Sequence, residues 1–114
     1  MLEPACGEGH MADVLKEYFD KVLVADIVDY GYSGTVVLDF VLGVDTRQYF
    51  QRSVDYVVTN PPFTLAGAFI ERAAVVARRG AAFLTRTSFL EGVDRYDEIF
   101  SKRPPSVVAQ FAER

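Results

Sequence analysis

Short apolar runs recur along the chain, and most of them end in an acidic or hydroxyl-bearing residue. The runs are rich in β-branched and aromatic residues and are too short to form helices. This pattern predicts strands that are buried on both faces of a sheet. We expect strands over residues 21–26, 35–39, 54–59, 81–85 and 107–112.

Amphipathic patterns with helical spacing separate these runs. They predict helices over residues 11–19 and 65–77, the second with Gly80 as its stop, and a shorter helix over 93–100. Strands that alternate with helices indicate an α/β protein with a Rossmann-like, doubly wound, mostly parallel sheet and helices on both faces. Only two residues precede Glu3, so we expect the first strand to be incomplete.

Composition and charge fit one domain over residues 1–114 and limit its functions. The chain has 50% hydrophobic and 25% charged residues, which is typical of globular proteins. Sixteen acids against twelve bases give a net charge of −4, which argues against strong autonomous binding to a nucleic-acid backbone. A single cysteine, no membrane-length apolar stretch and no leader predict a cytoplasmic protein without a membrane partner.

A segment with two glycines follows the first predicted strand. Gly7, Gly9 and Ala12 fit the G-x-G-x-x-[GA] pattern of nucleotide-bearing cofactor sites, because glycine lets the backbone turn sharply and approach a ligand. Asp26 ends the next predicted strand, where its carboxylate can accept hydrogen bonds from ribose hydroxyls. Dinucleotides and S-adenosylmethionine (SAM) both contain this ribose, so the pattern leaves both open.

Further acidic positions favour SAM over a dinucleotide. Glu3 stands at the end of the first predicted strand, just before the glycines, where dinucleotide sites require no acid. Asp39 ends the third predicted strand and Phe40 follows it. A carboxylate there can bond an adenine amino group, and the Phe40 ring can pack against the base.

The tetrapeptide Asn60-Pro61-Pro62-Phe63 directly follows the fourth predicted strand. It is therefore expected at the carboxyl edge of the sheet, where open α/β folds bind ligands. Its two prolines fix the backbone and remove two N–H donors. The Asn60 side-chain oxygen and the Pro61 carbonyl can each accept one hydrogen of an exocyclic amino group and so localise the nitrogen lone pair. Phe63 offers a flat face on which a base can stack.

On these segments the chain resembles the class I SAM-dependent methyltransferases that modify amino groups. The tetrapeptide is similar to the family's catalytic (Asn/Asp)-Pro-Pro-(Tyr/Phe), and residues 3–11 are similar to its SAM loop. Residues 86–92, the short predicted helix, and residues 104–107 and 111–114 are similar to small phage or prophage proteins of the DNA adenine-N6 methyltransferase type. The resemblance implies the class I methyltransferase fold, SAM as cofactor and adenine N6 in DNA as acceptor.

The resemblance also implies site residues. The residues expected to carry catalysis are Asn60, Pro61, Pro62 and Phe63. The residues expected to hold SAM are Glu3, Pro4, Ala5, Cys6, Gly7, Gly9, His10, Met11, Asp26, Ile27, Asp39, Phe40 and Asn60. Among them, Asp26 would hold the ribose and Asp39 the adenine amino group. The family's upstream aromatic-glycine element and its final antiparallel strand are missing from the sequence, so we expect the chain alone to bind SAM weakly.

Several alternatives stay open. The tetrapeptide equally serves methylation of guanine N2 in ribosomal RNA or of a protein glutamine amide. The glycine pattern alone fits a NAD-type domain, and the acidic charge fits a non-catalytic remnant that acts as an interaction module. We expect a nucleic-acid substrate, held weakly, and a homodimer in which a second chain covers the last predicted strand. No second histidine and no suitably spaced cysteine accompanies His10, so no metal site is predicted.

Overall fold

The computed structural model describes residues 1–43 and 54–112. Its contacts divide the chain into two compact units, Met1–Leu84 and Thr85–Arg114, which are described separately. The first unit contains the sheet. The strands are β1 (Leu2–Glu3), β2 (Leu23–Asp26), β3 (Val36–Val37), β4 (Val54–Thr59) and β5 (Ala77–Phe83).

The strands lie in the order β3-β2-β1-β4-β5, and every pair of neighbours is parallel. Parallel neighbours need crossover connections, usually helices. Helix α1 (His10–Leu15) connects β1 to β2 and covers the first part of the helix predicted over 11–19, and α2 (Ala66–Val76) connects β4 to β5. The arrangement confirms the predicted α/β, Rossmann-like architecture.

The two helices pack on opposite faces of the sheet. Side chains alternate between the faces along a strand. On β2, Ala25 belongs to the buried cluster that contains Phe69 and Ala73 of α2, whereas Val24 packs with Ala12 of α1. The larger core therefore lies on the α2 side. Its buried residues are Leu2, Ala25, Leu38, Phe40, Val54, Val57, Phe69, Ala73 and Val76.

The strand predicted over residues 107–112 is wrong. These residues have no regular structure and are exposed. A run of β-branched residues forms a strand only where a neighbouring strand supplies hydrogen bonds and packing, and no described strand pairs with this run. The homodimer stays a prediction, although the strand that it was expected to cover is not formed.

The helix stop predicted at Gly80 is also wrong. Helix α2 ends at Val76, and Gly80 lies inside β5, opposite Tyr56 of β4. Pairing with β4 therefore overrides the helical pattern of residues 77–80, and the strand predicted over 81–85 begins earlier. Strand β3 is shorter than predicted and, like the edge strand β5, is largely exposed rather than buried on both faces.

The second unit consists of short helical turns. The Arg95 guanidinium donates hydrogen bonds to the carbonyls of Ser88 (2.8 Å) and Glu91 (3.2 Å) and lies over the ring of Phe89. These turns confirm the short helix predicted over 93–100. No helix in the described ranges is long and apolar enough to cross a membrane. The elements are a 3₁₀ turn (Thr87–Leu90), α3 (Val93–Arg95) and a π-helical turn (Tyr96–Phe100).

Candidate functional site

Four polar residues predicted as site residues lie at the carboxyl edge of the sheet. Glu3 ends β1, Asp26 ends β2, Asp39 follows β3 and Asn60 follows β4. Because the strands are parallel, these ends lie along one edge. Strand β1 lies between β2 and β4. The chain therefore adds β2 and β3 on one side of β1 and then crosses to add β4 and β5 on the other side. Open α/β sheets bind ligands at such a switch point.

A cavity of about 280 Å³ opens at this edge. Its lining is mainly apolar, and Asp26 and Asp39 are its acidic residues. Within the described part of the chain, no cationic side chain belongs to the lining. An apolar slot with a few polar groups suits a flat ring that carries hydrogen-bond donors. The lining residues are Pro4, Ala5, Asp26, Ile27, Leu38, Asp39, Phe40, Val41, Leu42, Pro62, Leu65 and Phe69.

The two carboxylates of the cavity are fixed by backbone hydrogen bonds. Asp26 accepts one from the N–H of Gly7 (2.8 Å, to Oδ2) and a longer one from Val28 (3.3 Å, to Oδ1). Asp39 Oδ1 accepts two from the turn that follows it, both at 2.9 Å. Each carboxylate oxygen can accept more than one hydrogen bond. Both side chains are therefore held in place and retain acceptor capacity for a ligand.

The glycine loop (residues 4–9) joins β1 to α1. Gly7 and Gly9 have φ angles of +51° and +89°, a region that glycine adopts without steric cost. The Gly9 N–H donates to the carbonyl of Cys6 (2.8 Å), and the Gly7 N–H is bonded to Asp26. A side chain at Gly7 would enter open space, whereas one at Gly9 would collide with the Tyr32 ring. The group that packs closely against the Gly9 backbone is therefore the ring of Tyr32.

Glu3, just before this loop, and Cys6, within it, are buried titratable groups. Glu3 is only 1% exposed, and its Oε2 has no hydrogen-bond partner among the described residues. Burial, together with the nearby charge of Asp26, raises the pKa of Glu3 to about 7. The Cys6 sulfur lies 3.5 Å from Thr35 Oγ1, and burial raises the pKa of the thiol. A buried thiol with a raised pKa is unreactive, so Cys6 has a packing role.

The backbone around the tetrapeptide is anchored on both sides. The carbonyl of Thr59 accepts a hydrogen bond from the Leu84 N–H (3.0 Å). The carbonyl of Pro62 accepts one from the Leu65 N–H (2.9 Å), at a 3₁₀ turn that spans Phe63–Leu65. These bonds, together with the fixed φ angles of the prolines, set the directions of the carbonyl groups.

Two other acceptors of the tetrapeptide, the Asn60 side-chain oxygen and the Pro61 carbonyl, are not bonded to neighbouring residues in this manner. The Asn60 side chain is exposed, and no described residue hydrogen-bonds to its amide or to the Pro61 carbonyl. Phe63 is 53% exposed. The tetrapeptide therefore presents the Asn60 side chain and an aromatic surface at the edge of the sheet, whereas Pro61 is buried beside them.

The cavity brings together part of the predicted site. It contains one residue of the tetrapeptide, Pro62, and about half of the residues predicted to hold SAM. Those residues are Pro4, Ala5, Asp26, Ile27, Asp39 and Phe40. The predicted site residues that lie outside its lining are Glu3, Cys6, Gly7, Gly9, His10, Met11, Asn60, Pro61 and Phe63.

Some residues at the site were not predicted as site residues. Leu65 and Phe69 line the cavity, but the sequence pattern assigned them only to the apolar face of the helix predicted over 65–77. Val41 and Leu42 also line it, and their amides bind Asp39. Their position directly after Asp39-Phe40 is a sequence signal that could have found them. Leu38, one residue before Asp39, lines the cavity as well.

His10 lies at the surface. Its Nε2 is 3.3 Å from Glu8 Oε2, and both side chains are exposed. Across residues 1–43 and 54–112, no group of three or more His, Cys, Asp or Glu side chains could hold a metal ion.

A scan of protein-family models, a search of curated proteins and a search of solved structures each found no match to this chain.

Proposed function

We propose that this chain transfers a methyl group from SAM to an exocyclic amino group, with adenine N6 in DNA as the leading acceptor. The observation that carries the proposal is a single cavity that extends from the carboxylates of Asp26 and Asp39 to Pro62 of the tetrapeptide. Such a cavity offers a nucleoside pocket for the methyl donor beside unused acceptors for the substrate amino group.

The residues of the cavity suit the adenosyl part of SAM. Adenine is flat, and both its amino group and the ribose hydroxyls donate hydrogen bonds. Asp26 would accept from the ribose and Asp39 from the adenine amino group, while Ile27 and Phe40 would pack against apolar surface. Ala5 of the glycine loop also lines the cavity and would lie on the methionine side of the donor.

A dinucleotide suits the same site less well. Rossmann domains bind a pyrophosphate through free backbone N–H groups at the glycine loop and helix N-terminus. Here the N–H groups of Gly7 and Gly9 are already bonded within the chain. Asp26 and Asp39 would also repel a diphosphate, because like charges raise the energy of the complex. SAM carries a positive sulfonium and is attracted by the same carboxylates.

Bound SAM supplies a methyl group on a positively charged sulfur, from which a nitrogen lone pair can remove it. The chain's part is positioning. The Asn60 side-chain oxygen and the Pro61 carbonyl would each accept one hydrogen of the substrate amino group, which directs the nitrogen lone pair. The carbonyl of Pro62 is bonded to Leu65 and takes no part. The exposed Phe63 would stack on the base.

The choice of adenine in DNA follows from the sequence resemblance, and the charges limit how DNA is held. Arg78 pairs with Asp55 (3.0 Å), and Arg79 lies over the ring of Tyr56. These cations are engaged within the chain, and the net charge is −4. We therefore expect weak binding of DNA by this chain, with an unpaired or flipped base as the group that enters the site.

Transfer of a labelled methyl group from SAM tests the proposal. The chain is incubated separately with an adenine-containing DNA strand, a ribosomal RNA fragment and a glutamine-containing peptide, and the product is identified by mass spectrometry. We expect N6-methyladenine in the DNA strand. Methylguanine in RNA or methylglutamine would keep the reaction and change the substrate.

Ligand-dependent melting gives the second arm of the test. Millimolar SAM should raise the melting temperature more than NAD at the same concentration, because a ligand stabilises the state that binds it. No transfer to any of the three acceptors, combined with equal effects of SAM and NAD on melting, would overturn the proposed function.

A further inference from the structure

Tyr32 lies in the connection between β2 and β3 and contacts the glycine loop. Its ring occupies the space that a side chain on Gly9 would take. It also packs against the small buried cluster formed by Cys6, Ala12 and Val24. The ring therefore contacts the loop, the first helix and the sheet together.

The Tyr32 hydroxyl adds two polar contacts. It donates a hydrogen bond to Asp13 Oδ1 (2.5 Å) and accepts one from Lys16 Nζ (2.7 Å). Asp13 lies in α1, Lys16 caps its end, and the Asp13 N–H donates to the carbonyl of Gly9 (2.9 Å). The Tyr32 hydroxyl is therefore hydrogen-bonded to Asp13, whose own N–H is bonded to the glycine loop.

Thr35 fixes the other side of Tyr32. Its Oγ1 donates a hydrogen bond to the Tyr32 carbonyl (2.8 Å), and its N–H bonds to the same oxygen (3.2 Å). The same Oγ1 lies 3.5 Å from the sulfur of Cys6. The turn that carries Tyr32 is thus anchored both within itself and on the glycine loop.

From these contacts we infer that Tyr32 is a positioning residue that clamps the glycine loop and the start of α1 in the conformation that binds the methyl donor. Two glycines with positive φ give an isolated loop many conformations. Holding one of them in advance lowers the entropy lost on binding. The part of the inference that concerns SAM rests on the proposed function, whereas the clamp itself does not.

Hydrogen exchange measures the clamp without any ligand. The Tyr32→Ala variant removes the ring, and Tyr30→Ala serves as the control because Tyr30 is an exposed tyrosine of the same connection. We expect the amides of Gly9 and Asp13 to exchange about tenfold faster in Tyr32→Ala, while core amides of β4 keep their rates. Tyr30→Ala should change none of them. Unchanged loop exchange, or equally faster exchange across the whole sheet, would overturn the clamp.

Binding of two probes measures the positioning role. SAM and adenosine are titrated into the millimolar range and followed by NMR. Tyr32→Ala should weaken SAM about tenfold, and should change adenosine, which lacks the methionine part, by less than about twofold. Tyr32→Phe keeps the ring and should retain most of the SAM affinity. Equal losses for SAM and adenosine would overturn the positioning role.

Two further comparisons keep the inference testable. If Tyr32→Ala does not fold, Tyr32→Leu replaces it, with faster loop exchange expected in Tyr32→Leu and not in Tyr32→Phe. Faster loop exchange in a chain that binds no SAM would uphold the clamp and count against the proposed function. If the wild-type chain binds SAM and the variants at Tyr32 leave the exchange of the loop amides unchanged, the proposed function is upheld and the clamp is overturned.

Discussion

The glycine loop and the tetrapeptide lie on either side of the switch point and use their polar groups in opposite ways. In the glycine loop, the Gly7 N–H is bonded to Asp26 at the end of β2, and the Gly9 N–H is bonded to Cys6 of the same loop. In the tetrapeptide, the Asn60 side chain and the Pro61 carbonyl have no partner among the described residues. One region is closed on itself and the other has free acceptors.

The difference explains how one edge of the sheet can serve two ligands. Because the N–H groups of Gly7 and Gly9 are already paired, they are not available to a phosphate, and the loop side of the site has the acidic residues Asp26 and Asp39 instead. Spare acceptors on a fixed backbone are ready for the hydrogens of a substrate. Glu3 is an exception on the loop side, because its buried Oε2 lacks a partner in the described part of the chain.

Removing the free acceptor should give the largest effect. We expect Asn60→Ala to lower kcat for methyl transfer by about 10²–10³-fold, the usual cost of losing one preorganised polar group from a reaction site. SAM affinity should change little, because Asn60 does not line the cavity. Thr64→Ala, an exposed neighbour, is the control for steady-state assays. Full activity of Asn60→Ala would remove the tetrapeptide from catalysis.

Glu3→Gln tests the exception on the loop side. A folded-state pKa of about 7 against 4.5 for a free side chain means that the folded chain binds more protons than the unfolded chain between these pH values. Stability should therefore fall as the pH rises through this range and level off above it. The full loss is about 3 kcal/mol, from 1.36 kcal/mol per pKa unit over the difference between about 7 and 4.5. Urea unfolding across the pH range should show a smaller fall in Glu3→Gln, and an equally steep fall in both chains would show that Glu3 is not responsible.

Gly9→Ala tests whether the loop is closed by Tyr32. Gly31 is the matched control, because its φ of +85° is close to the +89° of Gly9 and a side chain there meets open space. Alanine is strained at both positions, and only at Gly9 does it also collide with a ring. Overpacking costs about 1–3 kcal/mol, so Gly9→Ala should unfold at a lower urea concentration than Gly31→Ala. Equal midpoints would contradict the close contact.

Asp39→Asn should give the smallest effect. The remaining amide oxygen can still accept the hydrogen bonds of the turn that Asp39 now holds, whereas the negative charge toward a ligand is lost. We expect adenosine to bind about fivefold more weakly, which corresponds to about 1 kcal/mol for one hydrogen bond. Asp29→Asn, which changes an exposed aspartate outside the cavity lining, is the control. Equal adenosine affinity in Asp39→Asn and the wild-type chain would place the ligand elsewhere.

The strand ends of the site were predictable from the sequence. Apolar runs that end at Asp26 and Thr59 place polar groups at one edge once the strands are parallel, and β2 and β4 end at these residues. Asp39 follows β3, which ends at Val37, two residues before the predicted strand end. The position of the tetrapeptide after β4 follows in the same way. Periodicity is sufficient here because a buried strand and its end are local properties of the chain.

The remaining features depend on contacts between distant segments. Nothing near Tyr32 in the sequence indicates that its ring meets Gly9. Gly80 follows a helical stripe, yet pairing with β4 draws it into β5. Residues 107–112 have the composition of a strand but no strand partner in the described ranges. At Gly80, pairing with β4 overrides the local preference for a helix. At residues 107–112, the lack of a partner strand overrides the local preference for a strand.

The most direct test of the account is an NMR titration of the chain with S-adenosylhomocysteine, which lacks the methyl group of SAM. We expect shifts at the backbone amides of Ala5, Ile27 and Phe40, which line the cavity. Shifts that avoid these three amides, or identical shifts with NAD, would contradict a donor site at the switch point.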